Sequence, residues 1–252
     1  MNIWWAKKPK PGNFGDVLTP HILDYFGIKY QYSKDAYNAL CIGSIARMAR
    51  PGITVLGSGV LSIQEELNPH ADWRFVRGPI TRNSLLQAGG YCPPVYGDPA
   101  LLLPLFCDGR RKRFDVGIVP HYNDYKLARI MYPDHHIINV INQDPLSVAH
   151  AITECRSIVS SSLHGIICAH AYGIPAAWIK LNSKFNADIK GNDVKFYDHY
   201  SALGLPATIS TWDNLHFTNA DIDTARLIAL SEIFRDVSYE QKQGYQHELD
   251  FS

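Results

Sequence analysis

The sequence has few cysteines, no net charge and no long apolar run. Its five cysteines are odd in number, widely spaced and without a Cys-x-x-Cys pair, which argues against a disulfide framework and against a zinc site. Lys plus Arg equals Asp plus Glu at 24 each, so no overall field attracts nucleic acid or an anionic membrane. Any charged ligand must therefore be held locally.

Targeting and metal signals are also missing. The first nine residues hold too short an apolar run for a signal peptide, and no later run approaches the length of a membrane span. Neither a His-Glu-x-x-His motif nor a carboxylate cluster is present. We expect a cytoplasmic protein that uses no metal and no cofactor.

What the sequence does have is a regular alternation of short apolar runs and helix-period segments, which is typical of β-α units and a parallel sheet. The pattern predicts an α/β fold with strands near residues 2–6, 39–42, 53–56, 74–76, 115–120, 136–140, 158–160 and 176–181. It predicts helices after residues 16, 79, 124 and 144, a long closing helix over 221–237 and a loosely held tail in the last dozen residues.

The pattern pauses around residues 97–104 and is followed by a basic stretch at 110–113, which we interpret as a solvated connector. We therefore predict two Rossmann-like domains, residues 1–108 and residues 109–252. Two such domains face a cleft, and ligands in open α/β sheets bind beyond the carboxyl ends of the strands. Arg77, His121 and His164 all follow predicted strands, which favours a site there.

Residues 158–175 are the most informative segment. They run from an apolar strand through Ser160-Ser161-Ser162 to Leu163-His164-Gly165 and a helix of small residues. Free backbone N–H groups and the positive end of a helix dipole favour a phosphate or carboxylate at such a turn. A plain helix cap has the same local pattern, so this segment alone leaves both interpretations open.

Six short motifs together resemble the polysaccharide pyruvyl transferase family. They occur in the family's order and cover about residues 13 to 204. The motifs are Asn-Phe-Gly-Asp at 13–16, Val-Arg-Gly-Pro-Ile-Thr at 76–81, Gly-Asp-Pro-Ala at 97–100, Pro-His-Tyr at 120–122, Ser-Ser-Ser-Leu-His-Gly at 160–165 and Lys-Phe-Tyr-Asp at 195–198.

The resemblance implies a transferase that places the pyruvyl carbon of phosphoenolpyruvate on two sugar hydroxyls as a cyclic ketal and releases phosphate. It implies a GT-B-like arrangement of two Rossmann-like domains. The implied acceptor is a sugar of a surface-polysaccharide precursor, on a lipid-linked oligosaccharide, with peripheral contact at the inner face of the membrane.

Phosphoenolpyruvate carries a phosphate and a carboxylate, so its site needs at least two cationic or N–H-rich anchors. Arg77 is the leading candidate, with a surface arginine in an ion pair as the alternative. Lys195 is a second candidate, with a solvated surface lysine as the alternative. The remaining donor contacts are expected from the turn, at Ser161, Ser162, Leu163, His164 and Gly165.

Two histidines are candidate catalysts. His164 matches the family's anion-contacting and proposed catalytic histidine, and we expect it to transfer a proton during the reaction. His121 is expected to bind phosphate or to deprotonate an acceptor hydroxyl, with a structural role as the alternative.

Asn13 and Asp16 are predicted contacts to the acceptor sugar, and Asp16 could instead cap the first helix. Asp98 is predicted to form a turn, and Asp198 to hold Lys195 or a loop. Two other functions remain open at this point: a nucleotide-sugar glycosyltransferase on the same fold, and a carbohydrate- or phosphate-binding module without turnover.

Overall fold

The computed structural model describes residues 1–181 and 192–250, with side chains described as far as residue 244. Both halves of this part of the chain contain a parallel β-sheet, so the predicted α/β class is confirmed. The predicted strands are present but shorter by one to three residues in most cases.

The first sheet has five parallel strands in the order β2-β1-β3-β4-β5. Its strands are β1 Asn2–Trp4, β2 Gln31–Tyr32, β3 Ala39–Leu40, β4 Thr54–Leu56 and β5 Asp72–Phe75. Helices α1 Thr19–Tyr25 and α2 Pro79–Gln87 accompany it. Short 3-10 helices lie at Asp16–Leu18, Ala46–Met48 and Pro99–Leu105.

The second sheet has parallel neighbours in the order β10-β9-β8-β6-β7, and β11 pairs antiparallel with β9. Its strands are β6 Phe114–Val119, β7 His136–Ile137, β8 Cys155–Ser160, β9 Ala176–Ile179, β10 Ile209–Ser210 and β11 Phe217–Thr218. The helices of this half are α3 Tyr125–Met131, α4 Pro145–Thr153, α5 Leu163–Ala171 and α6 Val194–Ala202.

The loop after β1 joins the two halves. Phe14 donates its backbone N–H to the carbonyl of Val140 at 2.7 Å, Asn142 donates to Gly12 at 3.0 Å, and Asn13 forms a β-bridge with Ile141. The loop is therefore held against the carboxyl end of the second sheet, where the predicted site residues of that half also lie.

Helix α7, Thr224–Asp250, closes the fold. It packs against elements of the first half, because the Phe234 ring stacks on Phe26 at 5.0 Å between centroids and meets Phe75 edge-on at 5.8 Å. The last dozen residues, predicted as a loosely held tail, continue the helix as far as residue 250, and the Gln241 side chain bonds to the backbone of Lys29. The missed signal is helical: only one glycine and no proline interrupt residues 224–250.

One hydrophobic core connects the two sheets. It includes Ile3 and Phe75 from the first sheet, Ile158 and Trp178 from the second, and Phe234 from α7, all buried. The predicted division at residue 108 and the GT-B-like arrangement stay predictions. Within the described ranges, no helix is both long and apolar enough to cross a membrane.

Candidate functional site

Residues from both halves line a cavity of ≈ 190 Å³ at the carboxyl ends of the strands. The lining residues are Asn13, Asp16, Ser44, Ile45, Leu61, His121, Tyr122, Ser162, Leu163, His164 and Lys195. A larger cavity of ≈ 630 Å³ lies between β5 and α7, and none of the predicted site residues lines it. The smaller cavity is therefore the candidate active site.

The serine-rich turn is built to hold the start of α5 in place. The Ser160 hydroxyl donates to the carbonyl of Val119 at 2.7 Å and accepts from the N–H of Ser162 at 3.0 Å. The Ser161 hydroxyl donates to Asp124 at 2.9 Å and accepts from the N–H of His121 at 2.8 Å. These two hydroxyls are engaged inside the fold, and only Ser162 of the three serines lines the cavity.

Gly165 is needed for packing in this turn. A Cβ atom at this position would lie 2.6 Å from the Ser160 hydroxyl and 2.7 Å from a methyl carbon of Val119. The absence of a side chain lets α5 approach the sheet, so its first backbone N–H groups point to the cavity end of the strands. A helix N-terminus placed in this way favours an anion.

His164 is held between two residues of other segments. Its ring lies over Gly15, where an added Cβ would overlap the imidazole. Its Nε2 lies 3.5 Å from Oδ2 of Asp98, and only 11% of the side chain is exposed. The imidazole therefore packs against Gly15 and has its Nε2 close to the Asp98 carboxylate.

Asp98 does form the predicted turn. Its carboxylate accepts from the backbone N–H of Ala100 at 2.9 Å and so caps the 3-10 helix Pro99–Leu105. The residue is fully buried. Its contact with His164 is a second role that the sequence did not reveal.

Asn13 and Asp16 lie together at the cavity, with 2.8 Å between the Asn13 amide nitrogen and Oδ2 of Asp16. Burial raises the pKa of Asp16, and His164, Asn13 and Lys195 act in the opposite direction. The suggestion that Asp16 caps the first helix is wrong, because its side chain bonds no helix N–H and Gly15 occupies the cap position.

Lys195 and His121 also reach the cavity, and they affect each other. Burial, followed by the charge of Arg77, lowers the pKa of Lys195 to about 8. Burial, followed by the charge of Lys195, lowers the pKa of His121 to about 4. His121 is therefore neutral at pH 7, while Lys195 is mainly charged and lies close to losing its proton.

The His121 ring has a defined tautomer. Its Nδ1 accepts a hydrogen bond from the backbone N–H of Asn123 at 3.4 Å, so the single proton of the neutral ring is on Nε2. His121 is thus arranged to donate a hydrogen bond from Nε2.

Arg77 lies behind the cavity and does not line it. The side chain is 1% exposed and forms an ion pair with Asp198, with 3.1 Å between Nε and Oδ2. It also donates to the Ser44 hydroxyl at 2.8 Å and to the carbonyl of Val60 at 2.6 Å. Ser44 lines the cavity, so Arg77 reaches the site through that hydroxyl.

The sequence matches a known protein family over most of its length. The model of the family described as polysaccharide pyruvyl transferase matches residues 4–183, well over half of the chain. The chain belongs to the polysaccharide pyruvyl transferase family. The matched range contains the cavity residues of the first half, His121 and the whole Ser160–Gly165 turn, and it ends before Lys195.

Two relatives of this pyruvyl transferase family member are similar over most of its length. The uncharacterized protein L143 of Acanthamoeba polyphaga mimivirus is 29% identical over 238 residues, which cover 84% of this chain and 80% of that protein. The succinoglycan biosynthesis protein ExoV of Rhizobium meliloti (strain 1021) is 28% identical over 212 residues, 77% of this chain. This chain spans 62% of the length of ExoV.

The structure brings most of the predicted residues to one place. Seven of them line the cavity: Asn13, Asp16, His121, Ser162, Leu163, His164 and Lys195. Arg77, Ser161 and Gly165 lie outside the lining, where they support it. Their contacts with substrate stay predictions.

Sequence reasoning missed Ser44, Ile45 and Leu61, which line the cavity from the first half. Ser44 carried a usable signal, because it follows a glycine directly after the strand predicted at 39–42. Over residues 1–181 and 192–250, no three His, Cys, Asp or Glu side chains are grouped to hold a metal ion. Polar and ionisable groups at the cavity include Lys195, two histidines, Asp16 and the N–H groups at the start of α5, together with the side chains of Asn13, Ser44, Tyr122 and Ser162.

Proposed function

We propose that the protein transfers the pyruvyl group of phosphoenolpyruvate to two hydroxyls of a glycan in a surface-polysaccharide precursor, releasing phosphate. The observation that carries the proposal is the composition of the small cavity. Cationic and N–H donors, from Lys195, His121 and the start of α5, share it with the Asn13–Asp16 pair. The first group suits an anionic donor, and the second suits sugar hydroxyls.

The size of the cavity favours this donor over a nucleotide sugar. At ≈ 190 Å³ it is smaller than the pockets of about 300–1,000 Å³ that hold drug-sized ligands. Phosphoenolpyruvate is a compact dianion or trianion, whereas a nucleotide sugar adds a base, a ribose and a second phosphate. The cavity volume therefore favours phosphoenolpyruvate over the glycosyltransferase alternative.

The proposed reaction balances without a cofactor. A proton added to the methylene carbon of phosphoenolpyruvate makes the methyl group and leaves an oxocarbenium-like centre at the adjacent carbon. One sugar hydroxyl forms a C–O bond there and loses its proton; the C–O bond to phosphate breaks, and the second hydroxyl closes the ketal and loses its proton. Of the two hydroxyl protons, one balances the proton placed on carbon and one leaves with phosphate.

Each step has a candidate residue. His164 supplies the proton to carbon or to the departing phosphate. Lys195, His121 through Nε2–H, and the α5 N-terminus stabilise the phosphate charge as it develops. Asp16, whose pKa is raised by burial, accepts a hydroxyl proton or orients the hydroxyl together with Asn13. The acceptor is proposed to be a lipid-linked oligosaccharide, and the similarity to ExoV, a succinoglycan biosynthesis protein, supports a polysaccharide precursor.

Ligand-dependent thermal stabilisation tests the donor before the acceptor is known, because a ligand that binds only the folded state raises its apparent stability. Phosphoenolpyruvate should stabilise the wild type, and the effect should be lost in Lys195→Met. Lys242→Met, at an exposed position on α7, is the matched control and should behave as the wild type.

Arg77→Ala is a poor choice for this test, since it leaves Asp198 buried without its cation. Stabilisation by a nucleotide sugar instead of phosphoenolpyruvate would overturn the proposal in favour of a glycosyltransferase.

Turnover is then tested with oligosaccharides that lack pyruvate, by measuring phosphate release and the mass of the product. Donor binding with no release of phosphate for any glycan would favour a binding module.

A further inference from the structure

We infer that Asp98 is a positioning residue for His164: it holds the proton of Nε2, so that Nδ1 is the nitrogen that exchanges a proton with the substrate. The inference rests on the proposed function for the role of His164. It deepens that function by assigning the reacting atom and by adding a residue that the sequence suggested only as a turn former.

Two buried polar atoms, one from Asp98 and one from His164, lie near each other. Asp98 Oδ2 and His164 Nε2 are both shielded from solvent, and among the described residues neither has a hydrogen-bond partner. They lie 3.5 Å apart. An unsatisfied buried polar atom destabilises the folded state, and a small rotation that brings the two atoms within hydrogen-bond distance satisfies both at once.

Oδ2 of Asp98 needs a hydrogen-bond donor. Its other oxygen is used by the N–H of Ala100, and the residue is completely buried. Within residues 1–181 and 192–250, no Lys or Arg side chain forms an ion pair with Asp98, and His164 is the single partner of that kind. The same carboxylate also acts on the Cys41 thiol, which directly follows β3: burial and then the charge of Asp98 raise the pKa of this thiol. A carboxylate in such a place favours an N–H on His164.

The other ring nitrogen of His164, Nδ1, faces a different segment from Nε2. Of the ring atoms, Nδ1 comes nearest to the position of an added Cβ at Gly15, so this nitrogen lies on the side of the loop that carries Asn13 and Asp16. The charged groups that act on Asp16 in this part of the site include His164, Lys195 and Asp98. With Nε2 held by Asp98, Nδ1 is the nitrogen left to exchange a proton with substrate.

A merely structural role for Asp98 is the competing explanation, and the chain offers a matched control for it. Asp144 precedes Pro145 as Asp98 precedes Pro99, and its carboxylate caps α4 by accepting from the N–H of Leu146 at 3.0 Å. Asp144 is exposed and does not line the cavity. Asp98→Asn and Asp144→Asn therefore remove the same charge from the same kind of cap.

The experiment measures tautomer and turnover in both variants. Asparagine keeps the oxygen that caps the helix but turns an NH₂ group toward Nε2, which must then accept, so the proton of a neutral His164 moves to Nδ1. In ¹⁵N-histidine-labelled protein, with the His164 signals identified by their loss in His164→Gln, we expect Nε2–H in the wild type and Nδ1–H in Asp98→Asn. Asp144→Asn should match the wild type.

For turnover we expect kcat of Asp98→Asn to fall about 100- to 10,000-fold, as it does when other catalytic histidines lose the carboxylate that orients them. The KM for phosphoenolpyruvate should change by less than about threefold. An unchanged tautomer in Asp98→Asn overturns the inference, as does a wild-type-like kcat. The ¹⁵N result needs no turnover. If the tautomer reverses but the wild type transfers no pyruvyl group, the proposed function fails and the positioning contact stands.

Discussion

Arg77 and Asp198 form an ion pair that is closed off from solvent, with 3.1 Å between Nε and Oδ2, and it joins positions 121 residues apart. The same carboxylate accepts from the backbone N–H and the hydroxyl of Thr81, at 3.0 and 2.7 Å. Gly78 lets the two helices approach, since an added Cβ would overlap the carbonyl of Asp198. The pair thus fixes α6, which carries Lys195, against the start of α2.

The first prediction concerns the stability that depends on this pair. Removing one partner of a buried ion pair leaves an uncompensated charge, so Arg77→Ala should lower the free energy of unfolding by about 3–5 kcal/mol. Arg113→Ala is the control, because its pair with Glu154 is mainly exposed and should contribute less than about 1 kcal/mol. Urea unfolding at pH 7 measures both, and equal losses in the two variants would contradict the prediction.

The Arg77–Asp198 pair also shows where sequence reasoning reaches its limit. Arg77 was recognisable as a functional candidate by its motif, but its burial depends on a carboxylate more than a hundred residues away. Local sequence cannot show whether such an arginine points into a cavity or stands behind one. Ser44 did have a local signal in the glycine that precedes it, but its hydrogen bond with Arg77 depends on the tertiary structure.

The fold was more predictable where the pattern was long. The strand that includes Ile158 and Val159 follows from a buried apolar run, and the helix after Ser162 follows from a run of small residues. Both are present, although the strand begins earlier than predicted, at Cys155. Strands β2, β10 and β11 are two residues each, too short to show a period, and they exist because a neighbouring strand pairs with them. The return of α7 to Phe26 and Phe75 is a tertiary contact with no local signal.

The second prediction concerns Gly15. Its backbone angles, φ −64° and ψ −44°, suit any residue, so an alanine is disfavoured only by overlap with the His164 ring. Gly15→Ala should displace the imidazole and lower kcat about 100-fold, the cost of a misplacement near 1 Å. Gly244→Ala in α7, where an added Cβ meets nothing within 4 Å, should keep full activity. A Gly15→Ala enzyme with wild-type kcat would show that the ring position does not matter.

The third prediction follows from Lys195. Its pKa of about 8 in the folded protein lies below the ordinary 10.5, so the unfolded chain binds more protons between these values. The contribution of Lys195 to stability therefore rises as the pH increases from about 8 to 10.5, and it is least favourable below 8. Binding of an anionic donor has the opposite dependence, because it needs the charged amine.

We accordingly expect the affinity for phosphoenolpyruvate to weaken as the pH is raised from 7 to 9.5, and to do so much less in Lys195→Met, which binds weakly throughout. Calorimetric titration at several pH values measures this, with Lys242→Met as the control for an exposed lysine. A pH dependence that is the same in Lys195→Met and in the wild type would assign it to another group.

The last prediction separates the two roles open to His121. If the neutral ring acts as a hydrogen-bond donor through Nε2, as the Asn123 contact at Nδ1 indicates, then glutamine can replace it, because its amide also donates. His121→Gln should keep kcat/KM for phosphoenolpyruvate within about fivefold of the wild type, whereas His121→Leu should lose about 10- to 150-fold, the value of a hydrogen bond to a charged group. Because the pKa of His121 is about 4, neither variant should alter the shape of the pH profile between 6 and 8. A general base cannot be replaced by glutamine, so equal and large losses in both variants would show that His121 removes a proton from the acceptor.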